Sequence, residues 1–338
     1  MTNITPKIVF FGTPDFAVPI LEKLAQSKYK PTTVFCAPDM PVGRKQILTL
    51  PPVKVVAQKY DIPVYQPTDN NELLEQLTTL NCDLAISAAF GLILPKAALD
   101  LPRFGCLNVH PSILPKYRGA SPIQTAILNG DAETGVTIYK MDEQIDHGAI
   151  ITQEKIQIKN SCHPEQSEGS RGSEATRATS IIEPTTPELS ERLSDLGAIL
   201  LIKILPDWLA GKITPTPQDD SQATLTKIIT KEDGQIDWKK SAKEIEQQIR
   251  AYTPWPSVYA NLKNKNENIK IKILEADAVE NTSEPQPGKI FLTDTGNLAV
   301  KTQNGALIVK KLQLEGGKPL SAQDFLRGHK DIIGKIII

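Results

Sequence analysis

The chain has 338 residues, 40% of them hydrophobic and 23% charged, and its 38 Lys and Arg against 39 Asp and Glu leave a net charge of −1. That length allows about two domains, and that balance excludes a generically basic nucleic-acid binder. No run of about 18 apolar residues is present to span a membrane, and the N-terminus runs straight into a strand with no signal-peptide pattern. The four cysteines, Cys36, Cys82, Cys106 and Cys162, show no metal-ligand spacing. They read as free thiols of a cytoplasmic protein, and no metal is expected.

Residues 7–11 form an apolar run that reads as a buried strand, ending at Gly12 and Thr13. A helix over 16–24 follows, with Phe16, Ile20, Leu21 and Leu24 on one face. The turn lacks G-x-G-x-x-G, so a nicotinamide or flavin pyrophosphate site is not supported. A second strand at 33–36 leads to an irregular segment, 37–52, with four prolines and Gly43-Arg44-Lys45. A loop of that length is either functional or solvated surface.

Further on, 53–61 and 71–79 read as helices, 63–65 and 83–87 as strands. Alternation at this spacing predicts a doubly wound, mostly parallel sheet. Ligands bind such sheets beyond the carboxyl ends of the strands. That rule gathers Gly12–Asp15, Phe90–Leu94 and Asn108–Pro115 around one crevice.

Leu107-Asn108-Val109-His110 alternates apolar and polar residues, which on a strand puts Asn108 and His110 on one face. Pro111 then stops the strand. An amide can donate to an oxyanion and an imidazole can exchange a proton, so the pair is a candidate reaction site. Ser121 and Pro122 open a helix that Gly130 closes. Strands are expected at 136–139 and 148–151, with Asp146 in the loop between them.

Residues 160–185 are polar, aperiodic and low in complexity, as expected of an insertion that is a flexible surface segment. Pro187 starts a helix with Leu189, Leu193, Leu196 and Leu200 in register, which Pro206 should kink or end. The stretch 208–223 reads as a linker. Beyond it, Ser241-Ala242-Lys243-Glu244 is a capping box. Short strands near 269–274, 289–292, 298–301 and 307–312 then suggest a small barrel. From Thr224 onward 18 Lys and Arg stand against 14 Asp and Glu, and before it 20 stand against 25. A mildly basic C-terminal part on an acidic body permits a polyanionic partner without requiring one.

The run Asn108-Val109-His110-Pro111-Ser112-Ile113-Leu114-Pro115, then Tyr117-Arg118-Gly119, then Asp146-x-Gly148, resembles the signature of the folate-dependent formyltransferases. Asp233 to Trp238, Pro254-Trp255-Pro256 and Gly328 resemble the OB-like C-terminal barrel of the branch that acts on tRNA. The resemblance implies a Rossmann-like catalytic domain over 1–207, with the insertion at about 160–185, a linker at 208–223 and a tRNA-binding barrel over 224–338. It also implies formyl transfer from 10-formyltetrahydrofolate to the amino group of methionyl-initiator tRNA, by a monomer. Asn108, His110 and Asp146 would be catalytic. Phe90, Gly91, Leu92 and Ile93, with Ser112, Ile113, Leu114 and Pro115, would line the folate pocket. Arg44 and Lys45 would grip the tRNA acceptor end. Two readings compete with this one: transfer to a sugar amine or other small amine, and a non-catalytic RNA-binding protein.

Overall fold

The computed structural model describes residues 6–43, 46–158, 183–263, 268–280, 282, 284 and 286–338. Arg44, Lys45, Cys162 and nearly all of the expected insertion at 160–185 lie outside the described residues. The chain divides into two compact units. The first comprises Met1–Pro122, Glu133–Ile156 and Ser190–Lys227, the second Ile123–Ala132, Gln157–Leu189 and Ile228–Ile338. The chain therefore leaves and re-enters each unit, where the sequence suggested one crossing. The stretch 208–223, expected as a linker, belongs to the first unit.

In chain order the elements up to Lys227 are β1 (Ile8–Gly12), α1 (Val18–Ala25), β2 (Thr33–Phe35), β3 (Met40–Val42), β4 (Ile47–Thr49), α2 (Pro52–Lys59), β5 (Val64–Tyr65), α3 (Asn70–Leu80), β6 (Leu84–Ala88), α4 (Lys96–Leu99), β7 (Cys106–His110), β8 (Arg118–Gly119), α5 (Pro122–Leu128), β9 (Glu133–Lys140), β10 (Ile150–Gln157), α6 (Thr186–Leu209) and β11 (Leu225–Thr226). The main sheet runs β10-β9-β7-β6-β1-β2-β5. Its β1, β2, β5, β6 and β7 pair in parallel, and β9 runs antiparallel to β7. The chain winds outward from β1 to β5, then returns to place β6 and β7 on the other side. Such a reversal opens a crevice at the carboxyl ends of β1 and β6.

The central strands are fully buried, as the apolar runs of β1 and, but for Ser87, β6 require, and β7 is buried along with its Asn108 and His110. Phe11, Phe35, Leu73, Leu77, Phe90 and Leu94 share one core cluster. Against β7, Gly197 of α6 comes so near Val109 that an added Cβ would collide with it. The irregular segment expected at 37–52 holds an antiparallel hairpin, β3 with β4. Its turn uses positive φ at Gly43 and Gln46, and its apolar Met40, Ile47 and Leu48 are exposed, so no hydrophobic alternation announced it. Pro206, expected to kink or end this helix, lies inside α6, which runs on three residues further to Leu209.

The second unit holds α7 (Ala242–Ala251), β12 (Val258–Lys263), β13 (Asn268–Val279), β14 (Ile290–Leu292), β15 (Leu298–Lys301), β16 (Ala306–Leu314), β17 (Leu320–Ser321) and α8 (Ala322–Gly328). The strands form an antiparallel sheet in the order β12-β13-β16-β15-β14, with β17 on β16. Register shifts around Glu275 bend the long β13 and curl the sheet. The C-terminal residues then bridge both of its edges, Ile337 to Leu262 of β12 and Ile336 to Lys289 beside β14. Unpaired edge strands invite aggregation, and this closure removes two of them. The small barrel read from the sequence is present in this form.

Candidate active site

The site begins at the end of β7. Five buried residues in a row fix this strand, and its register with β9 sets Asn108 opposite Tyr139 and His110 opposite Thr137. Val109 faces α6, so the alternation turns Asn108 and His110 to the other side. Both are buried, at 9% and 4% exposure, and they form the floor of the site rather than its rim.

Asp146 reaches them from the loop between β9 and β10, at a residue with φ of +50°. Its Oδ2 accepts from the Gly119 amide at 2.7 Å, and its Oδ1 accepts from the Tyr139 hydroxyl at 2.8 Å. The same Oδ1 lies 3.5 Å from His110 Nδ1. Asn108 Nδ2 donates to the Tyr139 hydroxyl at 3.2 Å. His110 Nε2 is 3.0 Å from the carbonyl oxygen of Tyr117. A carbonyl can only accept, so Nε2 carries a hydrogen, and Nδ1 is the ring atom left to exchange a proton beside Asp146. The three residues singled out from the sequence are thus one connected network, with Tyr139 inside it.

The loop after β7 is held rigidly. Thr137 donates its hydroxyl to the Ser112 carbonyl at 2.6 Å and accepts from the Leu114 amide at 3.0 Å. Gln153 donates to the Leu114 carbonyl at 2.8 Å, and Ser112 closes the turn through the Lys116 carbonyl at 2.6 Å. Ser112 and Leu114 are buried, while Ile113 and Pro115 are partly exposed. Across the crevice, Thr13 donates to the Phe90 carbonyl at 2.9 Å. The Phe90 ring turns into the core, 5.1 Å from that of Phe11, whereas Ile93 is 64% exposed. Phe90 therefore anchors this loop, and Gly91, Leu92 and Ile93 are the members of that expected group that can face a ligand.

Several residues of the site carried no sequence signal. Gln218, in the expected linker, donates to the carbonyls of Asp146 and Gly148 at 2.9 and 2.8 Å. Its own oxygen accepts from buried Arg118, which also pairs with Asp220 at 2.7 Å. Thr224 accepts from the Tyr117 amide at 2.8 Å, and β11 pairs with β8. The backbone that holds His110 and Asp146 in place is therefore braced by 218–226, about 70 to 110 positions away in sequence. Cys106, on the same strand as Asn108 and His110, is no nucleophile: burial pushes its thiol up to about 12. Among the described residues no group of three His, Cys, Asp or Glu is placed to hold a metal ion. None of their helices is long and apolar enough to cross a membrane.

The formyl transferase family profile matches residues 6–178, and that of the formyl transferase C-terminal domain matches 228–330. Methionyl-tRNA formyltransferases of two Staphylococcus aureus strains, bovine RF122 / ET3-1 and MW2, are each 40% identical over 336 residues, covering 98% of this chain and 99% of their own. A solved N-formyltransferase from Helicobacter canadensis, in complex with folinic acid and dTDP-3-aminofucose, superposes with a TM-score of 0.61 at 21% identity, over 90% of this chain and 98% of its own. HypX from Aquifex aeolicus in complex with tetrahydrofolic acid gives 0.59 at 14% identity, over 96% of this chain and 47% of its own. These two solved structures share the fold.

Proposed function

The chain belongs to the formyl transferase family, and from that premise we propose that it moves the formyl group of 10-formyltetrahydrofolate to the amino group of methionyl-initiator tRNA. The product, formylmethionyl-tRNA, serves translation initiation. One observation carries the reaction class: Asn108, His110 and Asp146 meet in a single hydrogen-bonded network at the carboxyl end of a buried strand. The acceptor follows from the 40% identity, over nearly the whole chain, to methionyl-tRNA formyltransferases.

The folate donor supplies a formyl carbon that a neutral amine can attack. As it does so, negative charge builds on the formyl oxygen, and preorganised donors lower the barrier most where charge develops. Asn108 offers such a donor: one amide hydrogen goes to Tyr139 and the second remains for the formyl oxygen. His110, through Nδ1 facing the Asp146 carboxylate, takes the proton that the amine gives up and returns it to the folate nitrogen as the bond from that nitrogen to the formyl carbon breaks and tetrahydrofolate leaves. The residues lining the crevice fit a flat heterocycle: exposed Gly91 and Ile93, with partly buried Leu92 and Ile113. Arg44 and Lys45, which fall between β3 and β4 in the sequence, would meet the acceptor end of the tRNA.

The test is transfer of radiolabelled formyl from 10-formyltetrahydrofolate to methionyl-tRNA by the full chain. Formylmethionyl-tRNA is the expected product. Labelled amino sugar formed while methionyl-tRNA stays unlabelled would overturn the acceptor, and no labelled product of either kind would overturn the enzyme. Asn108→Ala and His110→Ala should each lower kcat about 100- to 1000-fold, the usual cost of losing one such group, while tRNA affinity in a filter-binding assay stays near that of the parent.

A further inference from the structure

Tyr139 stands opposite Asn108 in the β7–β9 ladder, and its side chain is 2% exposed. Its hydroxyl donates to Asp146 Oδ1 and accepts from Asn108 Nδ2. The polarity of this chain of bonds follows from its far end. A carboxylate oxygen only accepts, so the one hydroxyl hydrogen is committed to Asp146. The hydroxyl then has only a lone pair to offer Asn108, and the amide must present its nitrogen. Burial, with the Asp146 charge beside it, holds the phenol well above its usual pKa, so the hydrogen stays on oxygen at any working pH.

We infer that Tyr139 is a positioning residue for formyl transfer: anchored on Asp146, its hydroxyl sets which way the Asn108 amide faces. The inference rests on the reading of Asn108 as the donor to the formyl oxygen. An amide turned by 180° would place Oδ1, an acceptor, where negative charge develops, and would repel the transition state it now stabilises. A phenylalanine at 139 fills the same space and leaves the two amide orientations without a hydroxyl to choose between them. Asp146 keeps its bond from the Gly119 amide either way, so the loss falls on the amide and not on the loop.

Tyr139→Phe, assayed in the full chain with 10-formyltetrahydrofolate and methionyl-tRNA, should lower kcat about 10- to 100-fold, the usual cost of misaligning a reacting group. KM for both substrates should stay within about twofold, since neither is bound by the hydroxyl. Circular dichroism should match the parent, with rates taken well below the variant's melting midpoint. In an Asn108→Ala background the same change should cost no more than about threefold, because the group it orients is gone. An unchanged kcat in Tyr139→Phe, or an equal fold-loss in both backgrounds, overturns the inference. A parent chain that makes no formylmethionyl-tRNA overturns the reading of function instead.

Discussion

His147, one residue past Asp146, joins two further acids. Its Nδ1 lies 2.6 Å from Asp142 Oδ2 and its Nε2 lies 3.4 Å from Asp220 Oδ2. The hydrogen bond to Asp142, with the charges of both carboxylates, raises its pKa above 6.5. A raised folded-state pKa contributes stability that is fully present below about 6.5 and lost as pH climbs through the folded value. His147→Ala should therefore lower the calorimetric melting midpoint at pH 6 by about 1 to 3 °C, as suits a partly exposed pair, and the gap should narrow by pH 9. A gap that widens with pH would show that the pair does not stabilise the loop. At this scale the sequence was legible where chemistry and local period coincide, as for Asn108 and His110 by strand alternation, while Asp146 stood out only by the resemblance of Asp146-x-Gly148 to the family signature. Gly148 has a physical reason to be there, since a Cβ would collide with the Lys140 carbonyl oxygen. Tyr139 and Gln218 stayed hidden because their partners lie 7 to 100 positions away and no spacing rule links them.

Elements were legible in proportion to their local signals. The capping box at α7 is present in full: the Ser241 hydroxyl accepts from the Glu244 amide at 3.2 Å, and the Glu244 carboxylate accepts from the Ser241 amide at 2.8 Å. The Ser241 hydroxyl, which donates to the Glu244 carboxylate at 2.6 Å, and then the Ser241 amide hold that carboxyl below 4.5, so their contribution is present above that pH and is lost as pH falls through the lowered value. Ser241→Ala should cost about 1 kcal/mol at pH 7, read from urea midpoints, and less near pH 3. An equal cost at both pH values would detach the effect from the carboxylate. The β3–β4 hairpin had no such signal, because exposed Ile47 and Leu48 sit side by side without alternation. Likewise β10 extends to Gln157 although the apolar run stops at Ile151; its later residues, Ile156 apart, are polar, and all are partly or fully exposed. Strand pairing there comes from β9, which a local reading cannot see.

For the whole molecule, composition gave two domains, but the crossings between units follow contacts that composition does not encode. Its charge distribution does make one prediction. The chain is nearly neutral overall, with a surplus of four positive charges after Thr224 and of five negative charges before it. A polyanionic acceptor should then be bound through a limited number of phosphate contacts, each releasing condensed counterions. The apparent Michaelis constant for methionyl-tRNA should rise with salt on a log–log plot, with a slope of roughly 0.7 to 0.9 per phosphate contact. The constant for the folate donor, a far smaller anion, should move much less. Arg44→Ala removes one cation from the stretch of sequence between β3 and β4. It should raise the constant for methionyl-tRNA at low salt and reduce the slope by about one, leaving the folate constant alone. Initial rates across a potassium chloride series, for the parent and for Arg44→Ala, decide this. Parallel slopes would remove Arg44 from the phosphate contacts, and a flat parent slope would mean that the acceptor is not held by its phosphates at all.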